Sequence, residues 1–177
     1  MAEQTTGAAA TTPTQADLIE SLDGAWSNLE GAIAGTGEEA LTTPGDDGWS
    51  VKDHLAHIEG WERYLLALLE RRSPSAAIGI DLTTVRSTAD DPLNEMIIEP
   101  TKEQPLSQVL ADLRLTRERL RVVIAALPED DLKRLAADNQ PEELADDTDS
   151  IAVWIDHICA EHLRDHVNWI RRLTYSS

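Results

Sequence analysis

Apolar residues recur at steps of three and four along four stretches of the chain, which is the spacing of amphipathic helices. In the first stretch they include Leu18, Leu22, Trp26 and Leu29. The predicted helices cover residues 15–34, 50–72, 107–127 and 149–173. No stretch alternates apolar and polar residues as a strand does, so the pattern predicts an all-α protein.

Capping residues support the predicted ends of these helices. Thr14 is a suitable N-cap for the first helix, and Ser50 with Asp53 resembles the capping box that begins a helix. Ser73-Pro74 ends the second helix, since the residue before a proline disfavours helical geometry, and Pro128 ends the third. Polar neighbours along the third helix indicate an exposed charged face.

The remaining segments connect the helices or precede them. Small polar residues predict a disordered tail over 1–13, followed by a single domain over 14–175. Residues 73–103 are less regular, with a short helix starting at Asp91-Pro92, and 128–150 form an acidic linker with a short amphipathic piece around 131–136. We therefore expect a four-helix bundle with a short extra helix or irregular segment between helices two and three.

The charge of the chain excludes several classes of function. Fifteen Lys and Arg against 33 Asp and Glu give a formal net charge of −18, whereas phosphate contacts require clustered basic residues. We expect no nucleic-acid or membrane partner, and a small-molecule substrate instead. The single cysteine, the absence of a basic apolar leader and the lack of a long apolar run predict a cytoplasmic protein.

Histidines carry the strongest chemical signal. His162 and His166 are four residues apart, so both rings leave the fourth helix on the same side. Both belong to the apolar stripe of that helix, where unpartnered imidazoles are costly to bury and a metal could satisfy them. On the second helix, His54 lies nearer the apolar stripe than His57, so by geometry alone either could be a third ligand. The stripe of the fourth helix consists of Ile151, Ile155, Ile158, His162, His166 and Trp169.

Glu62 is a further polar residue on an apolar face. Its carboxylate could bind metal, orient a histidine or act as a base, and the alternative is a partner for a buried Arg or Trp N–H. His157 lies about 140° around the helix from His162 and is expected at the surface. Cys159 is expected to be a small core residue, because nothing near it in sequence marks an activated thiolate.

These residues also carry a family resemblance. The segment GWSVKDHLAHIEGWE, followed near the carboxyl end by EHLRDHVNWI, resembles the DinB-like superfamily of four-helix metalloproteins. More narrowly it is similar to the ClbS/DfsB family, which pairs W-S-x-K-D-x-x-x-H-x-x-x-W-E with an Asn-containing middle segment and a terminal H-x-x-x-H. The middle segment here would be residues 90–95.

The resemblance implies a divalent metal, most often nickel or zinc, held by three histidines. By motif position these are His57, His162 and His166, which favours His57 over His54. Some relatives use low-molecular-weight thiols in isomerase or transferase reactions, and the ClbS branch is linked to hydrolysis of a cyclopropane-bearing genotoxin. Relatives of this class often pair, so a homodimer is a further expectation.

The sequence supports three hypotheses about function. The first hypothesis is a metal-dependent hydrolase or thiol-dependent transferase that attacks a small electrophile, with Glu62 as base, Trp61 and Trp169 as apolar walls, and Asn94 as a substrate contact. The second is a non-catalytic bundle that binds or sequesters a small molecule. The third is a structural protein whose histidines are satisfied core residues.

Overall fold

A computed structural model describes residues 12–46 and 48–175 of the chain. Most of the predicted tail over 1–13 lies outside the described residues. Within those residues the structure contains no β-strand, only one isolated antiparallel bridge between Leu135 and Ser150, so the predicted all-α fold is confirmed. None of the described helices is long and apolar enough to cross a membrane.

The described residues form eleven α-helices, five of which are parts of the four long predicted elements. A 3₁₀ turn covers Glu99–Thr101, and a π-helical segment covers His157–Glu161. The α-helices are α1 (Gln15–Ile33), α2 (Glu38–Thr42), α3 (Val51–Leu69), α4 (Pro74–Ala77), α5 (Leu82–Ser87), α6 (Asp90–Ile98), α7 (Leu106–Ala126), α8 (Glu129–Leu132), α9 (Ala136–Asn139), α10 (Ile151–Asp156) and α11 (His162–Tyr175).

The predicted capping residues begin α1 and α3. Ser50 Oγ accepts a hydrogen bond from Asp53 N at 3.2 Å, and Asp53 Oδ2 accepts one from Ser50 N at 2.8 Å. Thr14 forms the same reciprocal pair at the start of α1. These contacts satisfy backbone N–H groups that have no partner inside a helix, which explains why both predicted starts are accurate.

The short helices differ most from the prediction. The connection between the first two predicted helices contains α2, and the less regular segment after α3 contains α4 and α5, whereas α6 confirms the short helix predicted to start at Asp91-Pro92. Helix α3 ends at Leu69 rather than Arg72, since Arg71 adopts a left-handed φ of 56°. The acidic linker holds two one-turn helices, α8 and α9. Elements of four to six residues are too short to show a periodic pattern, which is why sequence alone does not predict them.

Buried apolar side chains form two large clusters among the described residues, and the long elements contribute to both. One cluster includes Leu22, Leu65, Leu120 and Ile155. The other cluster includes Leu29, Leu55, Leu113 and Leu163. Helices α3 and α7 therefore pass through both clusters, and Glu62 on α3 and Arg117 on α7 are buried between these leucines.

Candidate metal centre

The three histidines predicted as ligands come together between α3 and α11. Nε2 of His162 lies 2.9 Å from Nε2 of His57 and 3.0 Å from Nε2 of His166. Each ring offers one ligand nitrogen, and the three nitrogens lie within 4.8 Å of one another. His57 and His166 are buried and His162 is half-buried. The i,i+4 spacing on α11 thus places two rings opposite the ring that α3 supplies.

A π-helical segment sets the rotation of α11 relative to α10. Ile151, Ile155 and Ile158 are buried as the predicted stripe requires, but the fully buried apolar residues of α11 are Leu163 and Ile170. Because a π turn accommodates an extra residue, the core stripe moves one position along the chain after His157–Glu161. His162 and His166 consequently lie at the edge of the core, and Trp169 is 43% exposed rather than buried.

His54 belongs to the same cluster, which therefore holds four imidazoles. Its Nδ1 lies 2.9 Å from Nδ1 of His166, and the side chain is buried. The sequence left His54 and His57 as alternatives, whereas the structure places both rings beside His166. His157 lies outside the cluster, exposed and next to Glu161, as expected.

The histidine rings of the proposed ligand set are neutral at neutral pH. Burial is the main cause that lowers the pKa of His57 to about 3 and that of His162 to about 4. Burial and the neighbouring imidazoles also lower the pKa of His166. Neutral imidazole is the form that binds metals, because its nitrogen lone pair is available.

The spacing of the nitrogens fits a transition-metal site. Such ions bind imidazole nitrogen at about 2.0–2.1 Å, so two nitrogens at right angles around an ion lie roughly 3.0 Å apart. The separations of 2.9 and 3.0 Å around His162 match that value. In addition, Nε2 of His162 faces Nε2 of His57 and Nε2 of His166. A cation shared by the three nitrogens would satisfy the lone pairs directed at it. The residues present therefore fit the metal that the resemblance implies.

Tryptophans surround the histidines on several sides. The predicted Trp61 and Trp169 have ring centroids 6.4 Å from His57 and 4.9 Å from His166. Trp49, which the sequence analysis did not single out, lies 5.3 Å from His57 and donates from Nε1 to Glu95 Oε1 at 2.6 Å. The sequence feature that could have pointed to Trp49 was its position in the W-S-x-K-D segment.

Asn94 lies on α6, half-buried and next in sequence to Glu95, the acceptor for Trp49. Within the part of the chain that the structure describes, its side chain makes no hydrogen bond to the histidines. Its predicted role as a substrate contact stays a prediction.

Glu62 lies in the interior in an ion pair with Arg117 of α7. Arg117 Nη2 also donates to the carbonyl oxygens of Leu22 at 2.7 Å and Cys159 at 3.1 Å. Burial raises the pKa of Glu62 to about 7 although Arg117 opposes that shift. The partner of a buried arginine, weighed from the sequence as the alternative, is the arrangement observed, and the predicted base role gains no contact with the histidines.

Two further expectations concern the neighbours of this ion pair. The charged face expected on the third helix does not include Arg117. Its side chain is only 4% exposed and pairs with the buried carboxylate of Glu62. Cys159 is buried as expected, and burial raises the pKa of its thiol, so it is not an activated nucleophile.

Comparison with known protein families identifies the superfamily of this chain. A sequence model of the DinB superfamily matches residues 21–170. The chain therefore belongs to the DinB superfamily. No curated protein matches the chain significantly. The narrower resemblance to the ClbS/DfsB family stays a prediction.

Solved structures with the same fold come from several bacteria. A protein from Streptococcus pneumoniae has a TM-score of 0.70 at 16% identity, over 92% of this chain and 91% of its own. An uncharacterised protein from Escherichia coli UTI89 has a TM-score of 0.69 at 14% identity, over 95% and 97%. Another from Clostridium difficile 630 has a TM-score of 0.69 at 15% identity, over 90% and 94%. At such low identity the likeness shows the fold alone.

Proposed function

We propose that this chain is a metal-dependent enzyme that activates water or a thiol for attack on a small electrophilic substrate. The observation that carries the proposal is the convergence of the Nε2 atoms of His57, His162 and His166, with neighbouring separations of 2.9 and 3.0 Å. Three protein ligands leave coordination positions open for a reactant, as catalytic sites require. Nickel or zinc is the proposed metal.

A bound divalent metal would supply the activation, since it lowers the pKa of a coordinated water or thiol towards neutrality. The side chains of the protein do the rest. His57, His162 and His166 hold the ion, while the rings of Trp49 and Trp61 limit access of solvent and offer apolar surface to the substrate.

The reaction type follows from the resemblance rather than from a residue of the site. Similarity to the ClbS/DfsB family supports hydrolysis of an electrophile, and the thiol-using relatives support transfer of a low-molecular-weight thiol. Both reactions would draw on the same activation, which a metal held by His57, His162 and His166 would supply. They differ in whether a thiol must be supplied, so a substrate panel tested with and without thiols separates them.

Metal content tests the proposal directly. Untagged wild-type protein is expected to hold close to one equivalent of nickel or zinc by mass spectrometry, and His162→Ala is expected to lose it. His157→Ala serves as the matched control, since it removes an exposed imidazole from the π-helical segment that directly precedes α11. Unchanged metal content in His162→Ala would overturn the proposed site. Metal binding without turnover across electrophiles and thiols would instead support a non-catalytic binding protein.

A further inference from the structure

The Nδ1 atom of His166 has a dedicated neighbour. His166 directs Nε2 towards His162 at 3.0 Å and Nδ1 towards Nδ1 of His54 at 2.9 Å. A neutral imidazole has one N–H and one lone pair. If Nε2 gives its lone pair to a metal, Nδ1 carries the proton and requires an acceptor, and His54 supplies the nitrogen that lies within reach.

We propose that His54 is a positioning residue of the metal site. Its Nδ1 accepts a hydrogen bond from Nδ1–H of His166 and so fixes the tautomer in which His166 offers Nε2 to the ion. The inference rests on the proposed metal-dependent function and concerns how its ligand set is held. Hydrogen bonds of this kind orient metal-binding histidines and raise their basicity.

The surroundings of His54 hold its ring in place. Trp169 stacks on it with centroids 5.8 Å apart and an interplanar angle of 22°, and Trp49 lies on another side at 5.2 Å. His54 is one helical turn before the ligand His57 on α3, so one rigid element sets both the ligand and the acceptor. The acceptor nitrogen therefore keeps a fixed place relative to the ion.

The same geometry distinguishes His54 from a fourth ligand. Its near contact is with Nδ1 of His166, the nitrogen on the side of the ring away from His162. The ligand group that converges within 4.8 Å contains His57, His162 and His166. His54 thus acts through His166 and not on the ion.

A matched pair of substitutions tests the inference. His54→Asn places an amide oxygen near the position of the lost Nδ1. His54→Leu introduces a side chain of the same shape as asparagine but without a hydrogen-bond acceptor. Both lose the stack on Trp169, so the difference between them reports the hydrogen bond. The dissociation constant for zinc, measured by chelator competition, is expected to rise by about 10–100-fold in His54→Leu and by a much smaller factor in His54→Asn.

Nitrogen-15 NMR of histidine-labelled, zinc-loaded wild-type protein provides a readout that packing does not alter. We expect His166 to carry its proton on Nδ1 and His54 to carry its proton on Nε2. This spectrum needs no variant, so it decides the matter even if His54→Leu does not fold.

The possible results distinguish a failure of the positioning role of His54 from a failure of the proposed metal-dependent function. Equal zinc affinity in His54→Leu and wild type, or a zinc-bound Nδ1 on His54, would overturn the positioning role while leaving the metal site intact. A wild-type protein that binds no zinc or nickel would overturn the proposed function, and the role of His54 with it.

Discussion

Helix α3 carries two buried polar sites whose side chains have different kinds of partner. Glu62, which is 0% exposed, is neutralised by Arg117, whose guanidinium also donates to two backbone carbonyls. His57, five residues earlier and 2% exposed, is neutral and directs a nitrogen towards a nitrogen of His162. In the first site an opposite charge within the protein pairs the buried group, and in the second site ring nitrogens of three histidines converge.

This difference shows which buried polar group is suited to chemistry. Glu62 and Arg117 lie on α3 and α7 between leucines of the two core clusters, so their pair links helices. Its hydrogen bonds are directed inward, to protein groups. The histidine cluster instead brings ring nitrogens of three residues within 4.8 Å of one another, as a metal site requires. The buried carboxylate of Glu62 is therefore accounted for by its ion pair, whereas His57, His162 and His166 form a group that could hold a metal ion.

The largest effect is expected from breaking the ion pair. Arg117→Met leaves the Glu62 carboxylate buried without a counter-charge, which costs about 3–5 kcal/mol of the free energy of unfolding. Urea denaturation of metal-free protein measures this loss. Adding Glu62→Leu removes the remaining charge and is expected to recover most of the stability. If the double variant is no more stable than Arg117→Met, the charge is not what makes the single change costly.

Zinc is expected to stabilise the protein through the histidines alone. At a free zinc concentration about 100-fold above the dissociation constant, the unfolding free energy should rise by about 2.7 kcal/mol. The Arg117→Met/Glu62→Leu variant should gain the same amount, whereas His162→Ala should gain almost none. Thermal melts with and without a chelator give the comparison. A smaller gain in the double variant would mean that the two sites on α3 are coupled.

Gly60, on α3 between His57 and Glu62, offers a smaller test. A Cβ there would approach Cγ2 of Ile97 to 2.3 Å, and Ile97 is only 2% exposed. Overpacking typically costs about 1–3 kcal/mol, and the better helix propensity of alanine offsets up to about 1 kcal/mol. Gly60→Ala should therefore destabilise the protein by about 1–2 kcal/mol in urea denaturation.

The matched control for Gly60→Ala lies on α1. A Cβ added at Gly24 would meet nothing within 4 Å beyond the backbone of its own helix, so Gly24→Ala should stabilise the protein by about 0.5–1 kcal/mol through helix propensity alone. If Gly60→Ala stabilised the protein as Gly24→Ala does, α6 would have to yield at Ile97, and α3 would not be tightly packed there.

The long helices could be predicted from sequence because 19 to 21 residues display several periods and their caps are local. The three histidines that come together between α3 and α11 could be singled out from their spacing and the family resemblance. The partner of Glu62 was not, since Arg117 is 55 positions away and periodicity does not pair residues of different helices. The place of His54 depends on the π-helical register of α11, which the sequence pattern does not reveal.

The smallest effect is expected at a second Arg–Glu pair between α7 and the end of α3. Arg119 donates from Nε and Nη2 to Glu70 Oε1 at 2.9 and 2.6 Å, but its side chain is 61% exposed. Solvent screens such pairs, so Arg119→Met should cost less than about 1 kcal/mol, against about 3–5 for Arg117→Met. A cost as large as that of Arg117→Met would show that burial is not what separates the two pairs.

The dependence of the Arg119 contribution on pH has a definite sign. Burial alone would raise the pKa of Glu70, but hydrogen bonds from Arg72 and Arg119 outweigh it and hold that pKa below the usual value of 4.5. A lowered carboxyl pKa means that the stabilisation is present above pH 4.5 and is lost as the pH falls through the folded-state value. The difference in unfolding free energy between wild type and Arg119→Met should therefore shrink on acidification below pH 4.5 and stay constant above it. A difference that stays constant on acidification would mean that Arg119 acts through packing of its aliphatic stem and not through Glu70.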